Sequence, residues 1–449
     1  MRSWLRLLLF RVVGGGLGVA ALLGSAGPET SPRVVDAWPA SPFEVYIWFD
    51  RPIGNDIVQA AVGRTIAFDT RRPNVASPTP RGAQPDAQGS IRVAAARLAD
   101  EGKTLILTTD PHSRAATYTL RLPRQGSAPI VAEYDLSGVE VAWGEGKEGA
   151  SPFYVGRWTA LSPAPVAEGR RTLSTERSAG RLKAKGKLSL STLVRLPKGP
   201  LIVRVTASAP IEATLGGEEP VAPEALDAAA APAGQSAVFR VESTGEPMLL
   251  LLSIKTGGPT DKPMSARMVV RRDGTSKGET DVRPDQFLLP WTPAEPPPAP
   301  PLENVPNLAG GDPIKGRAVF MGAEAKCSTC HKVRGEGTEI GPDLSPLVGR
   351  DRTEVYRDLY APSARIHPNY VSYTVALKSG RVLVGTVRAE GADAVRVTDA
   401  EAKVSTLKRS EIEEFRPSAT SIMPVGLVGA IGDERLRDLI AFLTSPPAK

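Results

Sequence analysis

A chain of 449 residues exceeds one ordinary core and implies roughly two to four domains. With 41% hydrophobic and 23% charged residues, it is neither a wholly disordered chain nor a multi-span membrane protein. Half of the +6 net charge comes from Arg2, Arg6 and Arg11, and no basic stripe with interleaved aromatics is present, which excludes nucleic acid as a partner.

The first residues read as a secretory signal over 1–26. A basic stretch ends at Arg11, an apolar run spans Val12 to Leu23, and the small residues Gly24, Ser25 and Ala26 come next. The run is short for a membrane helix. An uncleaved anchor that also recruits Leu7 to Phe10 is the alternative. The expected destination is periplasmic or cell-surface. No cysteine lies near Ala26, so lipid attachment there is excluded.

Residues 31–136 alternate strand-like runs with turns. Phe43 to Phe49, Ile91 to Ala95, Thr104 to Thr108 and Tyr118 to Leu122 suit strands. Arg71 to Gly89, rich in Pro, Gln, Asp and Ser, suits a long loop. A small β-sandwich is expected. The "FDRP" run at Phe49–Pro52 and the "DEGKTLILTTD…YTLRLP" run resemble bacterial immunoglobulin-like domains, a resemblance that carries no site. His112 falls in an Asp-Pro-His-Ser turn with no expected role.

Residues 137–290 repeat the pattern in type. Gly138–Trp143, Leu188–Leu196, Leu201–Ala207, Ala237–Val241, Met248–Ile254 and Ala266–Val270 suit strands of a second β-sandwich. The Ala/Pro-rich piece Pro220–Gly234 suits an excursion. Residues 291–311 form a Pro-rich linker, because the run Pro290–Pro301 can be neither helix nor central strand. Residues 312–446 are expected as an independent module held away from the β domains.

That module opens with Asp312-Pro313, an N-cap with proline at the first helical position. A helix is expected from Pro313 to about Ala325. The only two cysteines of the chain then appear in Cys327-Ser328-Thr329-Cys330-His331. C-x-x-C-H is the attachment signal for c-type haem: two thiols three residues apart can each form a thioether, and the adjacent His331 can ligate iron. A redox dithiol would need a βαβ setting. A zinc site would need two more ligands, and only His112 and His367 remain. Met423 is the candidate sixth ligand, with His367 its rival. Leu436, Leu439, Ile440 and Leu443 mark a last helix with Asp433 and Glu434 in its first turn. Arg352 to Leu359 suits a middle helix, and 370–415 reads as a small antiparallel β insert.

The pieces "GRAVF…CSTCHKVRGEGTEIGPDLS", "PSARIHPNYVSYTVALKSGRVLVGTV" and "SIMPVGL…LRDLIAFL" resemble the haem-binding c-type cytochrome domain of planctomycetes and verrucomicrobia, over residues 311–445. The resemblance implies a mostly α cytochrome domain with a β insert, and one covalent haem c with its iron between His331 and Met423. It also implies that the Pro342 carbonyl accepts the Nδ1–H of His331. The function expected from it is single-electron transfer, with a dehydrogenase or another cytochrome as redox partner protein. A redox or gas sensor, or a peroxidase-like enzyme, would need a displaceable sixth ligand. A binding protein whose β-sandwiches contact a glycan or a protein, with the haem unit as accessory, is the reading from another class.

Overall fold

The computed structural model describes residues 31–69, 88–123, 128–144, 154–162, 184–221, 235–257, 265–275, 278–293, 300–302 and 304–446. The expected signal over 1–26, residues 71–87 of the expected loop, 222–234 of the Ala/Pro-rich piece and 294–299 of the linker lie outside them.

The first domain contains β1 (Val34–Ser41), β2 (Glu44–Phe49), α1 (Asn55–Ala61), β3 (Thr65–Asp69), β4 (Gln88–Ala99), β5 (Thr104–Thr109), β6 (Thr117–Leu122) and β7 (Ile130–Asp135). The strands run in the order β1-β2-β5-β4-β3-β6-β7, with every pair antiparallel. Period-two burial drives the pairing: Val45, Ile47 and Phe49 are fully buried, while the residues between them are only half-buried. β4 joins the two halves. Its first residues pair β3, its later ones pair β5, and a register shift between Val93 and Ala95 turns it from one to the other.

The second domain packs two sheets face to face. It contains β8 (Val139–Gly144), β9 (Tyr154–Trp158), β10 (Gly186–Val194), β11 (Gly199–Ala207), β12 (Ile211–Leu215), β13 (Ser236–Ser243), β14 (Met248–Thr256), β15 (Ala266–Arg272), β16 (Thr280–Asp281) and β17 (Phe287–Leu288). One sheet runs β12-β14-β10-β8-β9, with β17 on β10, and the other β13-β11-β15-β16. Leu188, Leu190, Val203, Phe239, Leu250 and Ile254 share the core between them. The run Met248–Leu252 has no sequence alternation, yet the pleat imposes one: Leu250 and Leu252 are buried, Leu249 and Leu251 exposed.

The C-terminal region has two bodies. The helical one contains α2 (Pro313–Met321), α3 (Cys327–Cys330), β18 (Lys332–Val333), β19 (Glu336–Gly337), α4 (Arg352–Tyr360) and, beyond a five-stranded sheet, α5 (Leu427–Ile431) and α6 (Asp433–Thr444). Asp312 caps α2, its side chain accepting from the Ile314 amide at 2.8 Å. α2 crosses α6 at Gly316, where a Cβ would stand 2.0 Å from the Asp438 carbonyl oxygen. Phe320 and Phe442 meet at 5.7 Å beside this crossing. The buried Asp438 carboxylate accepts the Asp312 amide at 2.7 Å, tying the start of α2 to α6.

The second body is the sheet β23-β22-β21-β20-β24, built from β20 (Ser372–Leu377), β21 (Val382–Glu390), β22 (Ala394–Thr398), β23 (Val404–Lys408) and β24 (Ile412–Pro417). It has its own core of Val375, Val387, Val395, Val397 and Leu407. The expectation of a mostly α domain carrying a small β insert is therefore corrected. The longest helix of the region has 12 residues, and the sheet is a packed body beside the helices rather than an appendage to them. The helical periodicities at Pro313 and Leu436 are local, and they do not set the character of the whole region.

The expected separation from the β domains is also overturned. Phe43 of the first domain enters the core of this sheet and meets Phe415 at 4.6 Å. The buried Asp110 accepts the Ala389 amide at 2.8 Å, the Arg92 guanidinium donates to the Ala389 carbonyl at 2.6 Å, and Arg114 donates to the Ile366 carbonyl at 2.5 Å. Trp291, at the start of the proline-rich run, packs on the first domain's core. The stretch reads as a spacer by composition, but its ends are anchored and the flanking bodies touch.

Candidate functional site

The Cys327–His331 segment is one short helical turn ending in an extended residue. Lys326 enters it in the left-handed conformation (φ 50°), and the His331 amide donates to the Cys327 carbonyl at 2.8 Å. The loop after β19 is drawn back across it. The Gly341 amide donates to the Cys330 carbonyl at 2.7 Å, and the Thr338 amide to the Ser328 carbonyl at 3.2 Å. Two glycines make this approach possible. A Cβ on Gly341 would lie 2.6 Å from Cε1 of the His331 ring, and one on Gly337 (φ 97°) would lie 2.1 Å from the His331 carbonyl.

The same loop places the Pro342 carbonyl 2.9 Å from Nδ1 of His331. A carbonyl only accepts, so Nδ1 carries the hydrogen and Nε2 keeps its lone pair. Burial holds the imidazole below its ordinary pKa, against the opposing pull of the Pro342 carbonyl, so it is neutral near pH 7. Cys327 and Cys330 are half-buried free thiols. Burial pushes Cys327 up to about 11 and raises Cys330 as well.

Met423 is half-buried on the rim of the helical core, where Cys327, Ala325, Leu344, Leu347 and Leu427 also pack. Its amide donates to Ser421 Oγ at 3.1 Å, fixing the turn before α5. His367 has a different role: its Nδ1 accepts the Asn369 amide at 3.2 Å and its ring meets Tyr370 at 5.6 Å, so it caps the turn leading into β20. His112 is a core residue, with Nδ1–H donating to the Pro42 carbonyl at 2.9 Å and Tyr134 OH donating to Nε2 at 3.0 Å. Its ring lies edge-on to Tyr118 and beside Trp291. Burial lowers its pKa to about 4. Gly337 shapes the site without being marked in the sequence, where nothing signals that it approaches the His331 carbonyl.

Among the described residues no three His, Cys, Asp or Glu side chains gather into a metal cluster. The iron and haem character expected of a metal-binding domain is corrected to that extent: the side chains build no metal centre by themselves. The resemblance to the planctomycete and verrucomicrobial cytochrome domain is not upheld either. No family model and no curated protein matches the chain, and the region carrying the resemblance is not the mostly α domain it implied.

Solved structures similar to the chain are β-rich. An anti-sigma factor domain-containing protein from Clostridium clariflavum has 11% identity over 57% of this chain and 92% of that one, with a TM-score of 0.23. A PA14 sugar-binding domain from an RTX adhesin has 12% identity over 34% of this chain and 98% of its own, with a TM-score of 0.21. The A domain of epithelial adhesin 6 from Candida glabrata, in complex with Galb1-3GlcNAc, has 9% identity over 36% and 70%, with a TM-score of 0.19. At these scores the likenesses carry no argument about the function of this chain. The chain is a multidomain protein of antiparallel β-sheets with a compact helical body near its C-terminal end.

Proposed function

We propose that the chain is an exported binding protein of β domains whose helical body carries, as an accessory group, one haem held covalently by Cys327 and Cys330. The observation that carries the haem half of this reading is the bond from His331 Nδ1–H to the Pro342 carbonyl at 2.9 Å, in a segment whose two thiols are free. The residues present fit the group. Two thiols three residues apart suit two thioether links, and an imidazole with Nδ1 tied and Nε2 bare is set to ligate. A porphyrin brings its own nitrogens, so no cluster of protein ligands is required. When bound, such a group supplies one-electron chemistry.

The chain's own residues prepare the place. Pro342 fixes the tautomer and orientation of His331 and raises its basicity. Gly341 lets the loop lie flat on the imidazole. Met423 stands on the same core rim as Cys327 and is the second residue offered to the group. The first β domain grips the neighbouring sheet through Asp110, Arg92 and Phe43. A glycan or protein held by that domain would therefore stand in a fixed relation to that sheet.

Optical spectra of the full chain, made in a host that attaches c-type haem, test this reading. The expected result is a low-spin haem spectrum, indifferent to carbon monoxide, with its ferric charge-transfer band lost in Met423→Ala. Carbon monoxide binding by the wild type would mean a displaceable sixth position and a sensor or peroxidase-like role. No haem spectrum at all would sink the proposal. Screening the same protein on glycan and protein arrays tests the binding half, and silence on both would leave the β domains without the role given them.

A further inference from the structure

The junction between the first β domain and the five-stranded sheet holds a small, partly open polar cavity. Both bodies line it, with Ser90, Pro111 and Ser113 on one side and Asn369, Tyr373 and Arg388 on the other. It leaves about 10 Å³ for the centre of a water molecule, which is room for about one water. Two polar atoms of residues that line it, Ser113 Oγ and Asn369 Oδ1, are buried and find no hydrogen-bond partner among the described residues. Ser113 is 4% exposed. Leaving such a buried atom unsatisfied is costly, so a partner is expected for each.

Several polar groups near these two atoms already have partners. The Asp110 carboxylate accepts the Ala389 amide, the Arg388 guanidinium donates to the Asn369 carbonyl at 2.5 Å, and Tyr373 OH donates to the His112 carbonyl at 3.3 Å.

We propose that this cavity is a binding site for one ordered water, which donates to Asn369 Oδ1 and bonds Ser113 Oγ, joining the first β domain to the C-terminal sheet. Two polar partners in a space of this size are the minimum such a water needs. The bridge adds to the direct contacts of Asp110, Arg92 and Arg114 and does not depend on any haem.

A high-resolution crystal structure of the full chain, together with a double-mutant cycle of Ser113→Ala and Asn369→Leu, tests the proposal. The expected result is density for one water within hydrogen-bond distance of both atoms, and denaturation midpoints in which the double variant loses little more than either single one. Both atoms bonded to protein groups, or a dry cavity, would overturn it. So would strictly additive losses, since independent sites add and a shared water does not. If Asn369→Leu fails to fold, Asn369→Ser in its place keeps the cycle open.

Discussion

The helical body and the five-stranded sheet occupy one stretch of chain, but they are closed in different ways. The helical body closes on itself: α2 crosses α6 at Gly316, and Phe320, Tyr356, Leu436 and Leu439 fill the space between the helices. Cys327 and Met423 pack on its half-buried rim. The sheet is completed by another domain, taking Phe43 into its core and bonding its Ala389 backbone to the Asp110 and Arg92 side chains. Self-contained packing holds the motif, and borrowed packing ties the motif's neighbour to the first β domain. Chain proximity does not decide which partner an element has.

The sharpest way to break this contrast is at Asp110. Its carboxylate is buried, takes the Ala389 amide, and lies 3.5 Å from Arg92 and 3.9 Å from Arg388. Asp110→Ala leaves that amide unpaired and both guanidinium groups without their carboxylate. The expected loss is about 4 kcal/mol in chemical denaturation, with new proteolytic cleavage at the junction. An unchanged midpoint would mean that the two bodies are not coupled there.

His112 gives the same junction a pH dependence. Its folded pKa of about 4 lies below its ordinary 6.5. Between those values the unfolded chain binds the proton and the folded one does not. Stability from this group is therefore complete above about 6.5 and is lost as pH falls toward 4, by about 3 kcal/mol in all. Denaturation midpoints across that window should show the slope in the wild type and lack it in His112→Phe. A wild type flat over the window would contradict the buried neutral ring.

Gly316→Ala sharpens the other side. The added methyl meets the Asp438 backbone, which cannot swing away as a side chain would, and the expected loss is about 2 kcal/mol. It should leave the midpoint slope of the His112 effect unchanged, because the crossing lies outside the junction. The smallest effect is expected at the exposed Arg317–Glu336 pair, which bridges α2 and β19 with both side chains about half exposed. Arg317→Ala should leave the denaturation midpoint within error, since such pairs contribute little in solvent.

The features legible in the sequence are those that the chain encodes locally. Asp312-Pro313 announces the start of α2, and Leu436, Leu439, Ile440 and Leu443 announce α6. The run Met248–Leu252 announces a strand by composition. The C-x-x-C-H spacing announces a chemistry. The weight of the sheet in the C-terminal region is not legible, because a short alternating strand does not reveal that its neighbours complete a separate core. Nor is the docking of that sheet on the first domain. It rests on Asp110 and Ala389, which stand 279 positions apart, and the proline run between them reads by composition as a separator. The closeness of Gly341 to the His331 ring is likewise a matter of approach, not of residue type.

The haem proposed on Cys327 and Cys330 would be held by covalent bonds. The most direct test is the intact mass of the full chain under denaturing conditions, after production in a host competent for haem attachment, with Cys327→Ser,Cys330→Ser alongside. The account predicts a mass increment of one haem on the wild type that survives denaturation and is absent from the double variant. A wild type at the mass of the bare polypeptide, from a host shown to load a control protein, would contradict it.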